Sequence, residues 1–250
     1  MTPPTPALEI AVTSPAGALV AARGGADRIE LCTALELGGV TPSQGLVEAC
    51  TALPLPVHVL VRPRPGDFVY DETEVALMER EVRAVVASGA AGVVVGALDA
   101  RGGLDRETVA RLVAAARSVR SDTRVTFHRA IDRAQDPLAV VAGLGALGVD
   151  RVLTSGGASC ALDGVETLAR LVDAAADVEV MAGGGVAPEH IGTLVDAGVA
   201  AVHLSAKRRV EPLPGEEVRL GTADASSHSV TDPHVVAAAR AALRSAPPAR

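Results

Sequence analysis

Aromatic residues are nearly missing from this chain: no tryptophan, one tyrosine and two phenylalanines in 250 residues. That scarcity excludes recognition of single-stranded nucleic acid by stacked bases. It also leaves the core to Ala, Val, Leu and Ile, the palette of parallel strands covered by helices. Basic residues are the minority, 23 against 30 acidic, for a net charge of −7. The electrostatic footprint of a nucleic-acid binder is therefore lacking. Cys32, Cys50 and Cys160 form no C-x-x-C pair and no disulfide framework, a count that suits a reducing cytoplasm. No apolar run reaches the ~18 residues of a membrane span, and the opening MTPPTPA lacks the basic and apolar regions of a secretory leader. The expectation is a cytoplasmic protein with neither nucleic acid nor membrane as partner.

What is present is a repeated joint. A helix ends in glycine, one to three residues follow, and a strand opens on Ile or Val. The joint recurs at Gly25–Ile29, Gly89–Val93, Gly148–Val152 and Gly198–Val202. Glycine takes the left-handed conformation that terminates a helix, and the β-branched residue starts the strand. Repetition of this unit means βαβα alternation and a parallel sheet. Eight strands are expected at 8–12, 28–32, 57–62, 92–98, 124–129, 151–155, 178–182 and 201–205. Amphipathic segments lie between them, among them 72–88, 106–119, 136–147 and 162–175, and a last helix is expected at 234–244. Eight units in this length make a (β/α)8 TIM barrel, in a single domain over 7–247. A doubly wound open sheet is disfavoured, because no G-x-G-x-x-G turn follows the first strand. The stretch 207–233 is a long connection before the last helix, and its polar composition does not choose between lid, oligomer arm and tail.

Period-2 alternation sorts the strand faces. Leu8, Ile10 and Val12 face the helices and leave Glu9 and Ala11 inside. Ile29 and Leu31 leave Glu30 and Cys32; Val57, Val59 and Val61 leave His58, Leu60 and Arg62. Thr126 and His128 alternate with Val125 and Phe127, as His203 and Ser205 do with Val202 and Leu204. Barrels normally fill this space with branched aliphatics, so a polar lumen points to chemistry at the carboxyl ends of the strands. Glu30 and His128 are candidate proton-transfer residues. Arg62 is a candidate clamp for a carboxylate or phosphate. Arg64, Asp67, Ser155, Gly184, Gly185, His203 and Ser205 complete a candidate anion site at the same end. Three bland alternatives stand beside it: Glu30, Arg62 and His128 as a buried ion-pair network that only fixes the shape of the barrel, Arg64 and Asp67 as an internal ion pair of the RPRPGDF loop, and the Gly183–Gly185 run as a plain tight turn. Lys207 is expected to be a solvent-exposed lysine.

The ordered blocks LEIAV, GGADRIELC, LELGGVTPS, RPRPGDFVY, VTFHRAID, RVLTSGG, MAGGGV and VHLSA resemble the CutC family, named for copper homeostasis, over nearly the whole chain. The resemblance implies the same barrel, a cytoplasmic location, a homo-oligomer (dimer or tetramer) and copper(I) binding, with no organic cofactor. Cu(I) prefers at least two thiolates. The family places one cysteine on the first strand and one on the second; here the second is Cys32, and the first-strand position is Ala11. Cys32 is thus the candidate metal ligand, to be completed by His58, His128 or a second chain, and the alternative is a small buried residue. Two functions follow: Cu(I) binding near the barrel mouth, or acid–base chemistry on a small anionic metabolite.

Overall fold

A computed structural model describes residues 6–211 and 227–246. Eight parallel strands close into one barrel in chain order: β1 (Ala7–Val12), β2 (Arg28–Leu31), β3 (Val57–Leu60), β4 (Gly92–Val95), β5 (Arg124–Phe127), β6 (Arg151–Thr154), β7 (Glu179–Gly183) and β8 (Ala201–Leu204). Helices α1 (Pro15–Arg23), α2 (Gln44–Thr51), α3 (Glu72–Ala87), α4 (Arg106–Val119), α5 (Pro137–Leu144), α6 (Val165–Ala174), α7 (Ile191–Asp196) and α8 (Pro233–Ser245) surround it. This is the (β/α)8 architecture that the repeated joint implies.

Local chemistry sets the helix starts. Ser14, Ser43, Asp71, Asp105, Asp136 and Asp232 each accept a backbone N–H from the first turn of the helix they precede. Several ends differ from the sequence reading. The segment expected as a helix over 136–147 leaves the α-helix at Leu144 and tightens into a 3₁₀ turn over Gly145–Leu147, stopped by Gly148 at φ 80°. Ladder pairing of β5 ends at Phe127, and Arg129–Arg133 wind into a 3₁₀ turn instead. Part of the 207–233 connection is a two-stranded antiparallel ribbon, β9 (Lys207–Val210) against β10 (His228–Thr231); its middle lies outside the described residues.

The main apolar core lies between barrel and helices, and it takes Leu8, Ile10, Ile29, Val59, Val93, Phe127 and Val202 from the outward faces. Two small apolar clusters lie apart from it: Cys32, Leu60 and Val94, and Leu153, Met181 and Ala201. Apart from Ala11 and glycines such as Gly92 and Gly183, the remaining inward residues are charged or polar. Glu9 is wholly inaccessible, and His58, Thr126 and Arg151 are buried beside it. No described helix is long and apolar enough to cross a membrane.

Candidate active site

Register brings the charged side chains together. Glu9 of β1 stands opposite Arg28 on β2 and opposite His203 on β8. One carboxylate can therefore reach both neighbours. Its Oε2 accepts from Arg28 Nε at 2.6 Å, and its Oε1 accepts from His203 Nδ1 at 2.8 Å. Burial alone would favour the neutral acid. The His203 hydrogen bond and the charge of Arg28 outweigh it and hold Glu9 ionised, well below the usual carboxylate range.

The next inward residue toward the mouth is Glu30, two residues beyond Arg28 and on the same face of β2. Its Oε2 lies 3.7 Å from His203 Nε2. Burial pushes the Glu30 carboxyl up to about 7, His203 opposes that, and the charge of Glu9 adds to it. For His203, burial works against the charged form, but the two carboxylates prevail and its pKa is raised. With Nδ1–H donated to Glu9, Nε2 is the nitrogen turned toward Glu30. Glu30 and His203 thus form a pair able to exchange a proton near neutral pH.

The pair sits in the wall of a cavity of about 290 Å³ at the carboxyl ends of the strands. Glu30, Arg62, His128, His203 and Ser205 line it together with Gly184 and Gly185, whereas Arg64, Asp67, Ser155 and Cys32 do not. Arg62 is 6% exposed and makes no ion pair among the described residues. Its Nη1 donates to the carbonyls of Leu37 (3.1 Å) and Gly39 (2.9 Å), its Nη2 donates to Gly66 (3.2 Å), and its Nε has no partner. Phe68 packs on the guanidinium, 5.1 Å from its centroid. A buried cation without a carboxylate is costly unless an anion joins it.

His128 occupies the same wall in a different state from the one expected. Its Nδ1 accepts the N–H of Ala130, and its ring stacks at a tilt on Phe68 with centroids 4.9 Å apart. Burial, then the nearby charge of Arg62, pushes its pKa down to about 3. The ring is neutral at physiological pH, with an Nε2 that has no partner. The histidine against Glu30 is His203, because β8 closes the barrel onto β1.

Arg64 is consumed by its own loop. It pairs with Glu74 and with Asp67 at 2.9 Å, donates to the Val69 carbonyl, and lies over Tyr70. This is the internal ion pair of the two readings weighed for RPRPGDF. Ser155 acts through a neighbour: its hydroxyl donates to Asp132 and accepts from Arg129 Nη2 at 2.9 Å. Asp132 also accepts from the Ser155 and Gly157 N–H groups and from Arg129 Nε. Arg129 lines the cavity, and sequence reasoning passed over it although it directly follows His128. Phe68 of the RPRPGDF loop also lines it, as does Lys207, which is exposed as expected and stands at the mouth.

Cys32 does not suit a Cu(I) site. It is inaccessible, packed with Leu60 and Val94, and burial with the charges of Glu30 and Glu36 drives its pKa up, toward the thiol and away from the thiolate that metals need. The first-strand position is Ala11, and among the described residues no three His, Cys, Asp or Glu side chains are grouped to hold a metal ion. The donor set here does not fit the metal.

A family model, described as the CutC family, matches residues 7–208. A CutC family protein of Caulobacter vibrioides is 42% identical over 214 residues, covering 85% of this chain and 84% of that protein. One from Sinorhizobium medicae is 40% identical over 238 residues, covering 94% and 95%. Among solved structures, the CutC protein of Streptococcus agalactiae, assigned by its name to copper homeostasis, superposes with a TM-score of 0.74 at 27% identity, covering 80% of this chain and 98% of that one. A thiamine phosphate pyrophosphorylase from Pyrococcus furiosus, at 15% identity and a TM-score of 0.58, covers 96% of each chain and shares the fold alone.

Proposed function

The chain belongs to the CutC family, and from that premise we propose that it is an enzyme performing acid–base chemistry on a small anionic metabolite in the barrel mouth. The observation that carries this reading is the Glu30–His203 pair at 3.7 Å in the wall of the cavity. Environments that raise a carboxyl to about 7 beside a histidine oriented by a second carboxylate are those of proton-transfer sites. At neutral pH one member of the pair holds a proton to give while the other can accept one. Glu9 touches no substrate in this scheme; it orients His203 and favours the imidazolium. Arg62 supplies the positive field for an anion, and His128 stays neutral beside it.

Copper homeostasis attaches to the chain through its family name. Against Cu(I) binding by this chain stands the burial of its one candidate thiol and the alanine at position 11. Incubation in D₂O with a panel of small hydroxy acids, keto acids and phosphorylated sugars, followed by proton NMR, tests the enzyme reading. At least one member exchanges a carbon-bound hydrogen for deuterium, and Glu30→Gln and His203→Asn each slow that exchange by at least about 100-fold. Absence of exchange across the panel, with no thermal shift from any member, refutes it.

A further inference from the structure

The cavity has a second polar side, opposite in chemistry to the Glu30–His203 pair, where β7 and β8 end. Gly184 (φ 105°), Gly185 (φ 64°) and Ser205 form that wall with Arg129 and Lys207. Among the described residues no acceptor takes the backbone N–H of Gly184, Gly185 or Ser205. The Arg129 guanidinium rests directly on Gly184, so close that a Cβ there would come within 2.9 Å of its Nη1. Its Nε and one N–H of Nη2 are engaged by Asp132 and Ser155, which leaves Nη1 and the second N–H of Nη2 without a partner among the described residues. Lys207 makes no ion pair among the described residues and is exposed at the mouth. Arg62 lines the same cavity, and its buried charge is met by the carbonyls of Leu37, Gly39 and Gly66 and by no carboxylate, so it adds to the positive field there.

The donor geometry chooses the kind of anion. Arginine holds a carboxylate or a phosphate through two parallel N–H groups, and the Nη1–Nη2 edge of Arg129 keeps one such pair. Around that edge stand further donors on other elements, the backbone N–H groups of Gly184 and Gly185, the Ser205 hydroxyl and the Lys207 ammonium, more than the two oxygens of a carboxylate can use. That set suits a tetrahedral oxyanion, which at pH 7 carries between one and two charges and three strong acceptor oxygens. Glycine permits the close backbone approach that such binding requires.

We propose that this wall is a phosphate subsite and that the metabolite is a small phosphate monoester, its phosphate held by Gly184, Gly185, Ser205, Arg129 and Lys207 while its other end reaches Glu30 and His203. The inference deepens the acid–base reading and rests on it for the reacting end only; the phosphate subsite is testable alone.

Inorganic phosphate and glycerol 3-phosphate are titrated into the full-length protein by calorimetry, with ¹⁵N NMR of the amides, and sulfate serves as competitor. The expected result is saturable binding of one anion per chain. The Gly184, Gly185 and Ser205 amides shift, glycerol 3-phosphate binds more tightly than inorganic phosphate, and Lys207→Ala and Arg129→Ala each weaken binding about tenfold or more. Arg124→Gln, at the opposite end of the barrel, leaves the affinity unchanged. Lack of saturable binding, amide shifts confined to other regions, or equal weakening by Arg124→Gln overturns the subsite. Because this readout needs no turnover, saturable phosphate binding without deuterium exchange keeps the subsite and refutes the proton-transfer reading, and exchange in unphosphorylated acids alone does the reverse.

Discussion

Glu30 shows how a single residue can weaken a fold and still be retained. Its carboxyl is raised to about 7 in the folded protein against an ordinary 4.5. The stabilising, protonated form is fully present below about pH 4.5 and is lost as the pH rises through 7. Glu30→Gln removes the charge that folding disfavours. It is expected to stabilise the protein at pH 8 by about 1–3 kcal/mol, discounted for the weakened His203, and to leave stability near pH 4 almost unchanged. Urea unfolding at the two pH values measures the difference; a loss of stability at pH 8 would mark the pair as a structural salt bridge instead. Glu30 was legible in the sequence, because Ile29 and Leu31 fix which face it takes. Its partner was not, since opposing His203 to it depends on β8 closing against β1. The sequence assigned the role to His128, whose imidazole is instead bonded to the N–H of Ala130 and held neutral by burial and Arg62.

At the scale of the elements, β4 explains how three rings and a cavity fit in one lumen. Its sequence GVVVG reads as a strand buried on both faces, with no chemistry in its side chains. In the barrel its flanking glycines make space for histidines from the two neighbouring strands. A Cβ on Gly92 would come within 3.0 Å of the His58 ring, and one on Gly96 within 2.5 Å of the His128 ring. Backbone torsion does not demand glycine at position 96, so the constraint there is the imidazole alone. Gly96→Ala is expected to destabilise the protein by about 1–3 kcal/mol through overpacking and to break the bond from Ala130 to His128 Nδ1. Denaturant midpoints and the ring ¹⁵N shifts of His128 check both; a change below about 0.5 kcal/mol with an unmoved ring would contradict it. The long helices could be read directly, since serine and aspartate caps and glycine stops are local signals. The 3₁₀ turn carrying Arg129 and Asp132 could not, because its purpose lies in contacts with β6 and the β7 rim. The β9–β10 ribbon was hidden for the same reason: two short polar segments pair across a wide gap in sequence.

Taken as one molecule, the barrel has filled its lumen with titratable groups, and stability must follow pH accordingly. The polar lumen was visible from strand parity alone, while the sign of each group's contribution required the contacts. His58 is lowered to about 4 and His128 to about 3 from an ordinary 6.5, burial being the first cause for both. Their contribution is complete above pH 6.5 and is lost as the pH falls toward those values, because the unfolded chain takes up the protons first. Glu9, held below the usual range, contributes stability above about pH 4.5 that is lost as the pH falls through its folded value. Glu30 acts in the opposite direction between 4.5 and 7. Between pH 6.5 and 4.5, two histidine protons are therefore opposed by one glutamate proton, and stability should fall by about 1.4 kcal/mol per pH unit. Below pH 4.5 Glu30 no longer opposes and Glu9 joins the histidines, but His58 begins to take its proton in the folded state near pH 4, so the decline should steepen only to about 2.6 kcal/mol per unit. The surface carboxylates paired to arginine, such as Glu72 and Glu79 with Arg111, act in the same acid range and sharpen that limb. Glu30→Gln isolates the opposing proton: with it removed, the slope between pH 6.5 and 4.5 should double to about 2.7 kcal/mol per unit, while the limb below 4.5 stays as it was. A series of urea unfolding curves from pH 7 to pH 3.5 on both proteins measures the two slopes, and parallel curves through the upper window would show that Glu30 does not hold its proton in the folded barrel.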